Sequence, residues 1–179
     1  MNLLIVSTST IYGKPYLSYL KEECADFFSN APKILFIPFA RPGGMTHEAY
    51  TAKAKEVFAS WGFEMRGAHE FTDAKEGCRW ADGFFTGGGN TFVLTKTLHE
   101  TGYFNAIDTA VQADKPYMGT SAGANLTGIS ICTTNDMPIV YPPSFEAWGW
   151  VPFNINAHYL DPVEGSTHMG ETRETRIKE

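Results

Sequence analysis

KPYMGTSAGANL, residues Lys115–Leu126, sets a serine between two glycines in a run of small side chains. Its first half is short and apolar, as a buried strand is. From Ala122 onward the small residues suit a helix packed closely on a sheet. Between them Gly119-Thr120-Ser121-Ala122-Gly123 reads G-x-S-x-G, the sharp strand-to-helix turn that exposes a nucleophilic serine. Close packing explains the same residues, and G-x-S-x-G also arises by chance. The rest of the chain has to decide.

Working outward, the same alternation recurs upstream. Asn2–Ser9 and Lys33–Ala40 are apolar runs without alternation, the pattern of strands buried on both faces. Leu17, Leu20, Cys24, Phe27 and Phe28 follow the first run at helical spacing. Arg41-Pro42-Gly43-Gly44 stops the second. Thr46 is an N-cap for a helix through HEAYTAKAKEVFASWG, which Gly62 closes. FEMRGAHEF reads as a third, weaker strand and Trp80–Thr86 as a fourth, leading through three glycines into a helical segment, Thr91–His99. Strands alternating with helices predict an α/β fold in three layers around a mostly parallel sheet. No repeat or linker divides residues 1–179, so a single domain is expected. After Thr133 the chain turns rich in proline and aromatics without a clear helix, and THMGETRETRIKE is helix-like but polar.

Composition removes several function classes. Of 179 residues, 43% are hydrophobic and 19% charged, which describes a folded chain and not a disordered one. A net charge of −6 argues against nucleic acid as a partner. Cys24, Cys78 and Cys132 form no CxxC pair, so free thiols in a reducing compartment, the cytoplasm, are expected. No apolar run suits a membrane span or a secretory leader. There is no HExxH and no His or Cys pair at ligand spacing, so neither a metal nor another cofactor is expected.

Open parallel sheets bind ligands at the carboxyl ends of their strands. Two glycine-rich turns fall there, TGGGNT (Thr86–Thr91) and GTSAGAN. Backbone N–H groups of Gly88 or Gly89, together with that of Ala122, would form an oxyanion hole beside Ser121. TGGGNT alone also reads as a phosphate-binding turn at a helix N-terminus. Five histidines could supply a base. His99 reads as a surface residue, His47 and His168 lie in polar helix starts, and His69 follows a weak strand. His158 ends the strand-like FNINAHY amid apolar residues downstream of the serine. Asp136 lies between them, in the order Ser…Asp…His of α/β-hydrolases, and equally suits a turn or a cap.

FIPFA, GGGNTF, GTSAGAN, TTNDMPIV, INAHY and GETRETRI occur here in order, from the first strand to the last residue. In this the chain resembles peptidase E, the α-aspartyl dipeptidases of the S51 serine peptidases. The resemblance implies a flavodoxin-like or class I glutamine-amidotransferase-like fold and hydrolysis of Asp-Xaa dipeptides without a metal or cofactor. It makes Ser121 the nucleophile, His158 the base and Asp136 a candidate third member. In the family a glutamate from a more C-terminal segment has also been given that third role. This sequence stops at Glu179 where relatives continue, so a chain lacking that segment, with weakened activity or with Asp136 serving alone, is expected.

An N-terminal aspartate presents a carboxylate that suits a bidentate guanidinium. Arg173 and Arg176, with Asn90 of the glycine turn, are therefore the candidate substrate-binding residues, although Arg and Glu in this stretch also make a solvated helix face. The expected partner is a small peptide, and a homodimer is one assembly the reading allows. Other readings are a cyanophycinase-like peptidase, a flavodoxin-like nucleotide-binding module and an inactive homologue.

Overall fold

Ile34 and Phe36 point to one face of a sheet and Leu35 and Ile37 to the other, and each pair anchors a separate apolar cluster. That alternation, with no polar face, puts the strand in the middle of three layers. The computed structural model describes residues 1–161 and 172–178. The strands are β1 (Leu3–Val6), β2 (Lys33–Ile37), β3 (Glu64–Gly67), β4 (Gly83–Thr86) and β5 (Tyr117–Thr120), in the order β1-β5-β4-β2-β3. All four pairings are parallel.

Helices α1 (Lys21–Phe27) and α2 (His47–Ser60) lie on the first face, where Cys24, Phe28, Tyr50, Ala54 and Phe58 meet Ile34, Phe36 and Phe85. Helices α3 (Ala74–Trp80), α4 (Thr91–Glu100), α5 (Tyr103–Gln112) and α6 (Ala122–Asn125) cover the second. There Cys78, Leu94, Leu98, Ile107, Val111 and Ala122 meet Leu35, Ile37 and Phe84. A last short helix, α7, spans Arg173–Lys178. Thr46 caps α2 as expected, its hydroxyl accepting from the Ala49 N–H at 3.2 Å.

The three-layer α/β expectation holds, with local differences. Trp80 ends α3 instead of opening a strand, and β4 starts only at Gly83. Neither α3 nor α5 was expected. A glycine inside α3 argues against a helix, yet a Cβ on Gly77 would lie 2.5 Å from the Tyr103 hydroxyl, which fills that space and donates to the Ala68 carbonyl at 2.9 Å.

The aromatic stretch after β5 forms no regular element but is clamped to α5. Trp148 and Trp150 stack at 4.3 Å with planes 6° apart. Their indole N–H groups donate to Phe104 O (3.0 Å) and Asp108 Oδ1 (2.7 Å). His99, expected at the surface, instead stacks on Phe104 at 4.1 Å with Nε2 buried and without a partner among the described residues, and burial lowers its pKa. No helix among the described residues is long and apolar enough to cross a membrane.

The chain segments after β1 and β2 pack on one face and those after β4 and β5 on the other. The following segments thus change face between β1 and β5 and between β2 and β4, the positions at whose carboxyl ends ligands of open sheets sit.

Candidate active site

Ser121 joins β5 to α6 at φ 53° and ψ −111°, a conformation non-glycine residues rarely adopt. The surroundings hold it there. Its N–H donates to Val6 O at 3.0 Å, and its carbonyl accepts from Ala124 and Asn125. Gly123 is forced by close approach, since a Cβ there would lie 2.4 Å from Thr86 O. The Tyr117 hydroxyl then donates to the Gly123 carbonyl at 2.9 Å, bracing the turn from within the core.

His158 Nε2 stands 2.8 Å from Ser121 Oγ. The histidine does not end a buried strand. Ala157 is buried, but His158 is exposed on an irregular segment at φ 61°. Its backbone is fixed from three sides. The His158 N–H donates to Ser7 Oγ at 2.8 Å, just past β1. Arg173 Nη1 donates to the His158 carbonyl and, at 3.2 Å, to that of Ala157. The Ala157 N–H reaches Asn125 Oδ1 at 3.4 Å. Sequence reasoning missed Ser7 and Asn125, because partners 151 and 32 residues apart leave no local signal.

The glycine turn after β4 lies against the serine. A Cβ on Gly88 would come within 2.9 Å of Ser121 Cβ. Gly89 takes φ 148° and passes so close to Ala40 that a Cβ would sit 2.2 Å from its carbonyl oxygen. Among the described residues the N–H groups of Gly88, Gly89 and Ala122 have no backbone or side-chain acceptor. Asn90 caps α4, its Oδ1 accepting from Val93 N at 3.1 Å and its Nδ2 donating to Met137 O at 2.8 Å. That use differs from the expected contact with substrate.

Asp136 also differs from expectation. Its Oδ2 accepts from Thr91 N (2.7 Å), Thr91 Oγ1 (2.6 Å) and Thr134 Oγ1 (3.0 Å), and among the described residues it makes no hydrogen bond to His158. The carboxylate sits on the N-terminus of α4, where the helix dipole favours it. A phosphate on TGGGNT would need that place. Asn125 Nδ2 donates to both threonine hydroxyls, at 3.1 and 3.3 Å, so Asp136 reaches the His158 segment through Thr91, Thr134 and Asn125. Arg173, expected on substrate, spends Nη1 on the two carbonyls beside the imidazole. The side chain of Arg176 lies outside the described residues, as does His168.

The sequence pattern of peptidase family S51 matches residues 3–179. A peptidase E from Streptomyces coelicolor is 47% identical over 179 residues, covering 100% of this chain and 72% of the relative. A Drosophila melanogaster protein named probable alpha-aspartyl dipeptidase is 45% identical over 181 residues, covering 99% of this chain and 74% of its own length. A crystal structure from Listeria monocytogenes EGD-e, described as a peptidase E protein, superposes with a TM-score of 0.71 at 24% identity. It covers 99% of this chain and 86% of that one, which supports the flavodoxin-like fold.

Proposed function

The chain belongs to peptidase family S51, and on that premise we propose that it is a serine dipeptidase cleaving dipeptides whose N-terminal residue is aspartate. The observation that carries the proposal is the 2.8 Å approach of His158 Nε2 to Ser121 Oγ at the strained turn. The aspartyl preference draws on the names of the relatives, among them an alpha-aspartyl dipeptidase. Their names give no support to the cyanophycinase-like or nucleotide-binding readings.

In this mechanism His158 Nε2 takes the Ser121 proton as Oγ attacks the peptide carbonyl carbon. The carbonyl oxygen becomes an oxyanion held by N–H groups of Gly88, Gly89 and Ala122. Collapse breaks the C–N bond, and the imidazolium returns the proton to the leaving amine. An aspartyl ester on Ser121 remains. Water, deprotonated by the same nitrogen, then releases aspartate and restores the serine. Asp136 serves through Asn125, keeping the His158 segment in place. Three free thiols, two of them buried, support a reducing compartment such as the cytoplasm.

The experiment is hydrolysis of Asp-Leu by the full chain, with and without a serine-directed organophosphorus reagent. Turnover that stops as the reagent labels Ser121 is expected. Turnover unaffected by complete labelling of Ser121 would overturn the reading.

A further inference from the structure

Arg41 leaves the carboxyl end of β2 next to the glycine turn, one residue after the Ala40 carbonyl that accepts from Asn90 N at 2.7 Å. Its guanidinium lies 4.6 Å over the Tyr50 ring. The Tyr50 hydroxyl in turn donates to the Gly88 carbonyl at 3.3 Å, and Gly88 abuts Ser121. A short chain of contacts thus links this arginine to the serine. Yet Arg41 makes no ion pair with any carboxylate among the described residues. Its Nε is buried and has no acceptor among the described residues. A buried, unpartnered guanidinium N–H is costly and calls for an acceptor that arrives from outside.

Tyr16 Oη is buried in the same cluster beside Tyr50, with no partner at ordinary hydrogen-bond geometry among the described residues. Burial first and Tyr50 second push the Tyr16 pKa well above its ordinary value, and the nearby charge of Arg41 partly offsets them. Stacking on Tyr50 fixes the plane of the guanidinium, which suits bidentate capture of a carboxylate.

The topology says which part of a substrate would arrive. Across the carboxyl edge the order is β1, β5, β4, β2. His158 is tied to Ser7 beyond β1, Ser121 follows β5, Gly88 and Gly89 follow β4, and Arg41 follows β2. The imidazole must face the leaving amine. With the oxyanion at the glycine turn, the acyl half of the substrate points the other way, toward β2. Two strand spacings separate Ser121 from Arg41, about 10 Å between backbones. An aspartyl group reaching about 4 Å from its carbonyl carbon and the length of an arginine side chain are together enough to span that gap. The place is the carboxyl ends of β2 and β4, where the following segments diverge to opposite faces.

We propose that Arg41, oriented by Tyr50, is a specificity-determining residue that binds the side-chain carboxylate of the acyl aspartate. The assignment rests on the serine-dipeptidase reading and adds the residue that selects aspartate. Nothing in the sequence singles Arg41 out, because an arginine before Pro-Gly-Gly reads as an ordinary exposed turn.

The test compares kcat/KM for Asp-Leu and Asn-Leu in the parent, Arg41→Ala and Arg41→Lys, with Ser121 labelling by the organophosphorus reagent as the check on the catalytic pair. Loss of a charge-assisted hydrogen bond should lower Asp-Leu turnover about 10- to 150-fold. Asn-Leu turnover and labelling should change little, and lysine should restore part of the preference. An Asp/Asn ratio equal to the parent's in both variants overturns the assignment. So does an equal fall for both dipeptides, which would mark a structural role. Should Arg41→Ala fail to fold, the ratio in Arg41→Lys decides alone. A parent protein that is labelled at Ser121 but cleaves neither dipeptide overturns the dipeptidase reading first, and the two failures are thereby told apart.

Discussion

Gly88 lies against Ser121 so closely that a methyl group on it would stand 2.9 Å from the serine Cβ and 3.3 Å from Oγ. The first of these contacts is shorter than real Cβ atoms show, and Ser121 Cβ is no flexible tip. Gly88→Ala should therefore displace Ser121. Misplacement on the order of 1 Å costs about 10²-fold in rate, so kcat for Asp-Leu should fall by about that much while Tm changes little. Parent-like kcat would mean that the serine and the glycine turn move independently.

Ser121→Ala should remove activity by on the order of 10⁴-fold or more, the scale seen when a catalytic serine is deleted. Alanine keeps the strain of φ 53°, whereas glycine releases it. Ser121→Gly should be equally inactive but melt above Ser121→Ala. The opposite order of melting temperatures would show that the turn stores no strain.

Asp136→Asn separates a triad member from a supporting residue. An aspartate that orients the catalytic imidazole is worth about 10⁴-fold in kcat. Asp136 bonds Thr91 and Thr134, whose hydroxyls accept from Asn125, and Asn125 in turn accepts from the N–H of Ala157 next to His158, so the isosteric amide should cost less than about 10-fold. Asp136→Ala, which strands the Thr91 N–H, should lower Tm as well. A collapse of kcat in the amide variant at unchanged Tm would restore Asp136 to the triad.

Arg173→Ala removes the donor on the carbonyls of Ala157 and His158. Charge-assisted hydrogen bonds of this kind carry about 1.5–3 kcal/mol. We expect kcat to fall about 10-fold or more on Asp-Leu and Asn-Leu alike, because the imidazole loses its support. Steady-state kinetics on the pair checks this. A selective loss on Asp-Leu would return Arg173 to the role the sequence suggests.

His99 gives a pH dependence with a definite sign. Burial lowers its pKa, so the fold favours the neutral ring. The unfolded chain, near the ordinary value of about 6.5, binds more protons between the two values, and stability rises with pH across that window. The contribution is complete above about pH 6.5 and is lost as the pH falls through the lowered value. His99→Phe, which keeps a ring on Phe104, should flatten part of the fall in Tm between neutral and mildly acid pH. His47, lowered by burial and then by His69, carries a further share. An unchanged slope would exclude His99.

Much of this architecture is legible in the sequence. Uninterrupted apolar runs marked β1, β2 and β5 because strands buried on both faces need no polar alternation. G-x-S-x-G marked the turn because only glycine lets α6 approach β4 so closely. Helix α3 stayed hidden, since its Gly77 looks like a breaker until Tyr103 is seen to occupy the missing side-chain volume. Helix α5 shows Tyr103, Ile107 and Val111 four residues apart, a period that was there to be read. The sequence singles out Asp136 but not its tie to Thr91, because the two lie 45 residues apart and meet only in three dimensions. Ser7 and Arg41 carry no local pattern at all.

The parallel indoles of Trp148 and Trp150, 4.3 Å apart, give this protein an optical signature. Two chromophores so close share their excited states, so the pair should give a split band in the circular dichroism spectrum that neither indole gives alone. Both rings also meet Tyr117 edge-on, at 5.3 and 4.9 Å, and Tyr117 braces the carbonyl of Gly123. The light absorbed by this pair therefore reports on the floor beneath Ser121, with no label attached.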